Sequence, residues 1–415
     1  MKKERFILYT LAGINFTHIV DSMVMMPLGD IFMKMFDVGP TAFSWLVSSY
    51  STGAFISSLI GMVLIDRFDR KTALSFAYTG FILGTFLCAV AWDYYSLLTI
   101  RFLTGMFGGI IGAIVLSIVS DLFPFERRGS AMGVLMAAFS AAAALGVPLG
   151  LFLADRFSWE APFLFVGGVG VLLILNIFLR FPQMVEHIQS EKVEPSGAGD
   201  VLDTLSNVRV RKKSLSFILR EIFSDQNQVR ALTLSFVLIL GHFLIIPFIA
   251  PYMTRNVGFS QAQITYIYFL GGIFTVFSAP LVGKLTDRFG AKRLFPILMV
   301  LSFIPTLWIT HMPETLVPVA LIATSLFFVL GSGRMIPPQA MITAAVGPSN
   351  RGSFMSVKSA FQQAAIALAS VLSGLIVTTG EAERLIGYNW VGYLAIVVCL
   401  LAIFLSRNLK VAEGN

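Results

Sequence analysis

Long apolar runs alternate with short polar bursts along the chain, and the runs are too uniformly apolar for helices that keep one wet face. A helix needs about 20 mainly apolar residues to cross the hydrocarbon of a bilayer. Twelve stretches meet that need: 6–33, 42–65, 72–92, 95–121, 129–154, 161–182, 229–253, 262–284, 293–311, 315–341, 353–379 and 388–406. The first follows Lys2, Lys3 and Arg5, yet it is too long for a signal peptide, holds His18 and Asp21, and lacks a small-residue cleavage site. It reads as an uncleaved span. One long polar stretch interrupts the pattern, with Pro195, Ser196, Gly197, Ala198 and Gly199 followed by the basic run Arg209, Arg211, Lys212 and Lys213. The chain therefore divides into a six-helix bundle over 1–182, a cytoplasmic linker over 183–228 and a second six-helix bundle over 229–415. Within the linker, Ser214 to Phe223 carries an apolar stripe that either lies on the bilayer or packs beneath the bundle.

Composition supports an all-α membrane protein. Of 415 residues, 56% are apolar and 13% charged, against about 45–50% and about 25% in a soluble domain. Mean hydropathy is +0.81. A soluble enzyme, a disordered chain and a disulfide scaffold are excluded. Cys88 and Cys399 lie inside apolar runs and read as buried thiols.

The formal charge of +7 does not point to nucleic acid once the charges are placed. With the N-terminus in the cytoplasm, 23 of the 30 Lys and Arg fall in inner segments. Four fall in outer loops (Lys34, Arg156, Arg255, Arg384), and Arg101, Arg334 and Lys358 lie within spans. This bias puts both termini inside and fits a multi-pass protein of the cytoplasmic (inner) membrane.

The two halves repeat. Asp66, Arg67, Phe68, Asp69, Arg70, Lys71 recurs as Asp287, Arg288, Phe289, Gly290, Ala291, Lys292, an offset of 221. Arg128, Gly129, Ser130, Ala131, Met132 recurs as Arg351, Gly352, Ser353, Phe354, Met355, and His18 with Pro27 recurs as His242 with Pro251, at offsets of 223 and 224. Parallel repeats of this kind are found in transporters that bind substrate at midplane between the halves.

These residues resemble the major facilitator superfamily. The second half carries a close copy of that family's turn after span two, from Gly283 through Asp287, Arg288 and Gly290 to Arg293. In the first half Met62 stands at the first Gly position and Asp69 at the second. Asp tolerates left-handed backbone better than most residues, so the turn is expected to survive. Arg101 through Gly105 resembles the span-four motif. Gly146, Pro148 and Gly150 resemble the antiporter motif, with Val147 at a usual Gly. Trp159 and Phe163 fit the entry to span six, with Glu160 at a usual Arg. The resemblance covers the whole chain and implies twelve helices in two bundles, and it leans toward the drug- or sugar-efflux branch.

Ionisable residues inside a membrane are costly and ordinarily face a cavity or a partner. Asp21 and His18 share a helical face, and His242 is the repeat mate of His18. The resemblance places all three near substrate and associates Arg101 with proton coupling. The plainer reading of each is a polar contact between helices. Arg334, Lys358 and Gln362 are further candidates. If Arg101, Arg334 and Lys358 face the cavity, an anionic or polyhydroxylated solute suits it better than a lipophilic cation. The resemblance also implies a conformational gate at the inner face built from Asp66, Arg67, Arg70, Lys71, Asp121, Arg127 and Arg128, with a lesser copy at Asp287. Topology signalling and helix capping are the simpler roles for the same charges. The small-residue run Ala137 to Gly150 allows close helix approach.

There is no phosphate-binding Gly-x-x-x-x-Gly-Lys-Ser/Thr loop, no metal-ligand spacing and no hydrolase elbow. The expectation is a monomeric secondary transporter, not an enzyme, without a cofactor, that exchanges a small organic compound for protons across the bilayer. Uptake or exchange of an organic anion or sugar, or lipid flipping on the same fold, is the alternative.

Overall fold

The computed structural model of the protein describes residues 2–64, 68–123, 125–184, 215–347 and 351–410. The helices in chain order are α1 (Lys2–Val24), α2 (Gly29–Met35), α3 (Pro40–Leu64), α4 (Arg70–Ala89), α5 (Tyr94–Leu122), α6 (Phe125–Ala141), α7 (Val147–Arg156), α8 (Ala161–Arg180) and α9 (Leu215–Ser224). They continue as α10 (Gln226–Phe243), α11 (Ile246–Tyr252), α12 (Gln261–Phe289), α13 (Ala291–Thr310), α14 (Val317–Gly333), α15 (Ile336–Ala344), α16 (Arg351–Ile376) and α17 (Tyr388–Arg407). A two-stranded hairpin, β1 (Thr378–Thr379) with β2 (Leu385–Ile386), joins α16 to α17.

Eleven helical stretches among the described residues are long and apolar enough to cross a membrane. The expected second span, α3, is a helix of 25 residues. It carries six serines, of which Ser49 Oγ donates to Leu46 O at 2.8 Å and Ser58 Oγ to Gly109 O at 3.0 Å.

Polar caps set where the spans begin. Asp93 and Ser96 form a reciprocal capping box at α5, Ser260 and Gln263 do so at α12, and Asp225 caps α10. Several runs that read as continuous are broken. Residues 25–28 separate α1 from α2, residues 244–245 separate α10 from α11, and residues 334–335 separate α14 from α15. Ala142–Gly146 forms a π-helical turn between α6 and α7. Pro148, Pro247 and Pro337 sit just after three of these breaks, where a missing N–H is tolerated.

The first and last described segments lie on one face. Glu4 pairs with Arg127 at 3.1 Å, Lys410 N donates to Asn227 Oδ1 at 3.0 Å, and α9 touches α3, α10 and α16. On α9, Ile218 and Ile222 are buried in the second-half core, so this helix packs beneath the bundle. The basic run at 209–213 lies outside the described residues.

Burial distinguishes the two faces. At the face opposite the termini, one core takes residues from both halves, including Phe32, Phe43 and Phe163 with Phe248, Ile309 and Tyr388. Toward the terminal face there are separate cores. One runs from Ile7 to Met184 and the other from Ile218 to Leu409, with Met62 packed on its edge. The halves share a core at the distal face and keep separate cores toward the terminal one, where α3 of the first half still packs on α16 of the second.

Candidate functional site

A cavity of about 450 Å³ lies between the halves. It runs from Pro27 and Ile246, at the breaks of the first and seventh spans, toward Gln339 and Ile342 on α15. Met23, Ala143 and Val147 form the first-half wall, and His242, Tyr268 and Phe328 are among the second-half residues. The π-helical turn brings Ala143 to this surface. Ala144, beside it, packs so closely on α12 that a side chain at Gly272 would lie 2.4 Å from the Ala144 Cα.

Asp21 and Arg101 do not line the cavity. They form an ion pair inside the first half, where α1, α4 and α5 meet. Arg101 Nη1 donates to Asp21 Oδ2 at 2.8 Å, Nη2 to the Asp21 carbonyl at 3.3 Å, and Thr85 Oγ1 to Asp21 Oδ1 at 3.2 Å. The side chains are 0% and 1% exposed. The Arg101 guanidinium lies 4.5 Å from the Tyr50 ring centroid, a cation–π contact. His18 sits between Phe81 and Tyr50, with ring centroids 5.7 and 6.4 Å away, and its Nε2 has no partner in the protein. His242, its repeat mate, stacks on Phe327 at 5.8 Å and does border the cavity.

The expectation of a cationic cavity is not met. Arg101 is turned to Asp21. Arg334 points between helices, donating to Ser302 Oγ at 2.8 Å with Cys399 Sγ at 3.4 Å and Met299 Sδ at 3.6 Å. Lys358 Nζ donates to Gln339 Oε1 at 2.7 Å, so of this pair it is the amide residue that borders the cavity, together with Gln362. A cation buried in protein seeks acceptors, and each of these three finds them within a wall.

At the terminal face, the described members of the expected gate bond within the first half. Arg70 Nε pairs with Asp121 Oδ2 at 3.0 Å, Lys71 Nζ donates to Phe181 O at 2.7 Å, and Arg127 pairs with Glu4. Asp66, Arg67 and the Arg128 side chain lie outside the described residues. Asp69 is not left-handed: at φ −53° and ψ 129° it caps α4, accepting from Thr72 N at 3.1 Å and from Met184 N at 2.6 Å. An acid whose side chain can bond the next turn has no need of the left-handed form. Burial raises the Asp69 pKa, but these hydrogen bonds outweigh it and hold the carboxyl below its usual range. In the second half Gly290 does adopt φ +84°, between α12 and α13, whereas Gly283 has open space around it. Asp287 and Arg288 are exposed, with Arg288 over the Phe289 ring at 5.4 Å. Gly146 and Gly150 pack on Val20 and Val24 of α1, and Pro148 opens α7.

Among the described residues, the ion pair that bridges the halves lies at the distal face; sequence reading counted Arg255 and Lys34 as outer-loop charges and did not single out Asp30, inside the first stretch. Asp30 on α2 accepts from Arg255 Nε at 2.5 Å and from Lys34 Nζ at 3.0 Å. Asp30 is 6% exposed and Arg255 8%. Nearby, Thr41 Oγ1 donates to Gly374 O at 2.7 Å, also across the halves. The repeat carried a signal for this pair. Asp30 and Arg255 are 225 apart, nearly the repeat offset, so they occupy equivalent ends of spans one and seven.

A model of the Major Facilitator Superfamily matches residues 10–234 and 231–413. An uncharacterized MFS-type transporter of Bacillus subtilis is 21% identical over 401 residues, covering 97% of this chain and 95% of the relative. A probable sugar efflux transporter of Helicobacter pylori is 28% identical, over 68% of this chain and 65% of the relative. Multidrug resistance protein 3 of Bacillus subtilis is 27% identical, over 65% and 52%. Among solved structures, a bacterial homolog of the human lysosomal transporter Spinster, inward-facing and unoccupied, superposes with a TM-score of 0.75 at 16% identity, covering 98% of this chain and 97% of that one. The chain belongs to the Major Facilitator Superfamily.

Proposed function

We propose that this major facilitator is a secondary active transporter of the cytoplasmic membrane that exports a small organic compound in exchange for protons. One observation carries the reading: a cavity of ligand size lies between halves that share a core at the distal face and keep separate cores at the terminal face. With the terminal face cytoplasmic, as the Lys and Arg bias argues, this is the form that loads a compound from inside. Relatives named for sugar efflux and multidrug resistance support the direction. A complete site is formed within one chain, which supports a monomer, and the proton is the only coupling partner the reading needs.

Asp21 is the proton site in this reading. While ionised it is held by Arg101 and Thr85, and so ties α1 to α4 and α5. Protonation removes the charge that Arg101 answers and weakens the tie. Loss of one partner's charge in a buried pair costs about 3–5 kcal/mol, enough to move a two-state equilibrium by more than a hundredfold. Arg70, Lys71, Asp121 and Arg127 then serve as the first half's share of a terminal-face gate that engages when the distal face opens. The test is flux in proteoliposomes under an imposed pH gradient. Gradient-dependent movement of an organic compound is expected, and gradient independence for every compound moved would refute the coupling.

A further inference from the structure

Among the described residues, no Asp, Glu, Lys or Arg lines the central cavity. Arg334 and Lys358, the second-half cations that sequence reading expected there, are bonded to Ser302 and Gln339. A ligand carrying a full charge would shed its hydration and meet no counter-charge. The wall is not featureless, however. Ser235, His242 and Tyr268 border the cavity, and their Oγ, Nδ1 and Oη atoms, closed off within its wall, have no hydrogen-bond partner in the protein. Buried polar atoms are nearly always paired, so three such atoms on one cavity point to a ligand group. Ser235 and His242 are two turns apart on α10 and share its face. Tyr268 comes from α12, with its ring 5.5 Å from Phe328. The first-half wall opposite, apart from Ser140, is apolar.

We propose that the cavity takes an uncharged amphipathic molecule, with an apolar body against the first half and one hydrogen-bonding end received by Ser235, His242 and Tyr268. The proposal rests on the transport reading above. Hydroxyl and imidazole groups each donate or accept, so a carbonyl, amide or hydroxyl end fits. A sugar fits poorly, because each hydroxyl laid against Met23, Met26 or Val147 would lose its water bond without replacement.

The test is calorimetric binding to the purified full-length protein, using three probes on one scaffold: naphthaleneacetamide, naphthaleneacetate and naphthylmethyl-trimethylammonium, with sucrose as competitor. The amide is expected to bind at least tenfold tighter than either charged probe, and sucrose is not expected to compete. Tyr268→Phe weakens amide binding about fivefold, the size of one hydrogen bond. Val276→Trp fills the cavity and abolishes it. Tyr393→Phe, which removes only a surface bond to His311, leaves it unchanged. Any of the following overturns the proposal: no amide binding at millimolar concentration, tighter binding of a charged probe, competition by sucrose, or full binding in both Tyr268→Phe and Val276→Trp. If the amide binds as expected but no pH gradient moves it, the transport reading fails and the site assignment stands. If a gradient moves only charged compounds, the reverse holds.

Discussion

The distal ion pair gives the sharpest quantitative expectation. In Asp30→Asn the side-chain shape is kept and the charge is lost, which leaves Arg255 without its carboxylate. Exposed pairs are worth about 0–1 kcal/mol, and breaking a buried pair costs about 3–5 kcal/mol. With Asp30 at 6% and Arg255 at 8% exposure, the main pair lies near the buried limit. Lys34, at 55%, adds little. A working value of about 2–3 kcal/mol allows for the nearby aqueous edge. The pair joins α2 to the Met253–Val257 turn across the halves, so it exists only while the distal face is closed. Its loss should favour the distal-open form by roughly 30- to 150-fold. Spin labels at Met35→Cys and Leu316→Cys, both exposed distal positions, read this opening by double electron–electron resonance, since Cys88 and Cys399 are buried. Asp30→Asn should add a longer distance component. The double change Asp30→Leu with Arg255→Met should largely restore the short one, because an apolar pair bears no unpaired charge. An unchanged distribution in Asp30→Asn would refute the idea that this pair latches the distal face.

Three further outcomes follow from other parts of the molecule. Asp21→Ala should lower unfolding stability by about 3–5 kcal/mol through the stranded Arg101, and Asp21→Leu with Arg101→Met should recover most of it while remaining inactive; thermal unfolding in detergent and a transport assay check both. Gly290→Ala should cost about 1–2 kcal/mol, because φ +84° is strained for any side chain; the same unfolding assay reads it. The Asp69 pKa is depressed in the folded state, so its contribution to stability is full above the ordinary carboxylate range and is lost as pH falls through its lowered value. Wild type should therefore lose its advantage over Asp69→Ala on acidification below about pH 4, and a constant difference across that range would refute the role.

The spans were legible because membrane crossing imposes one coarse rule, about 20 apolar residues, and the repeat and the Lys and Arg bias needed only counting. The breaks at 25–28, 244–245 and 334–335 were not legible. A break depends on which carbonyl loses its partner and what packs beside it, and apolar periodicity is blind to both. The candidate site was half legible. Sequence singled out Asp21 and Arg101 as intramembrane charges, but not that they bond each other, because their 80-residue separation carries no distance information. Charges drew attention to Arg334 and Lys358, while the cavity is lined by Ser235, Tyr268 and Gln339, polar residues too common in helices to stand out. Asp30 and Arg255 were hidden for the opposite reason: charges at span ends are expected, and only the near-repeat spacing marks these two as neighbours.

The most direct test of the account is gradient-driven flux of the amide probe in proteoliposomes, comparing wild type with Asp21→Asn at matched protein level and with amide binding measured in parallel. The account predicts pH-gradient-dependent transport in wild type and its loss in Asp21→Asn, with binding within a few-fold of wild type, since Asp21 lies outside the cavity. Full gradient-driven transport in Asp21→Asn would contradict it.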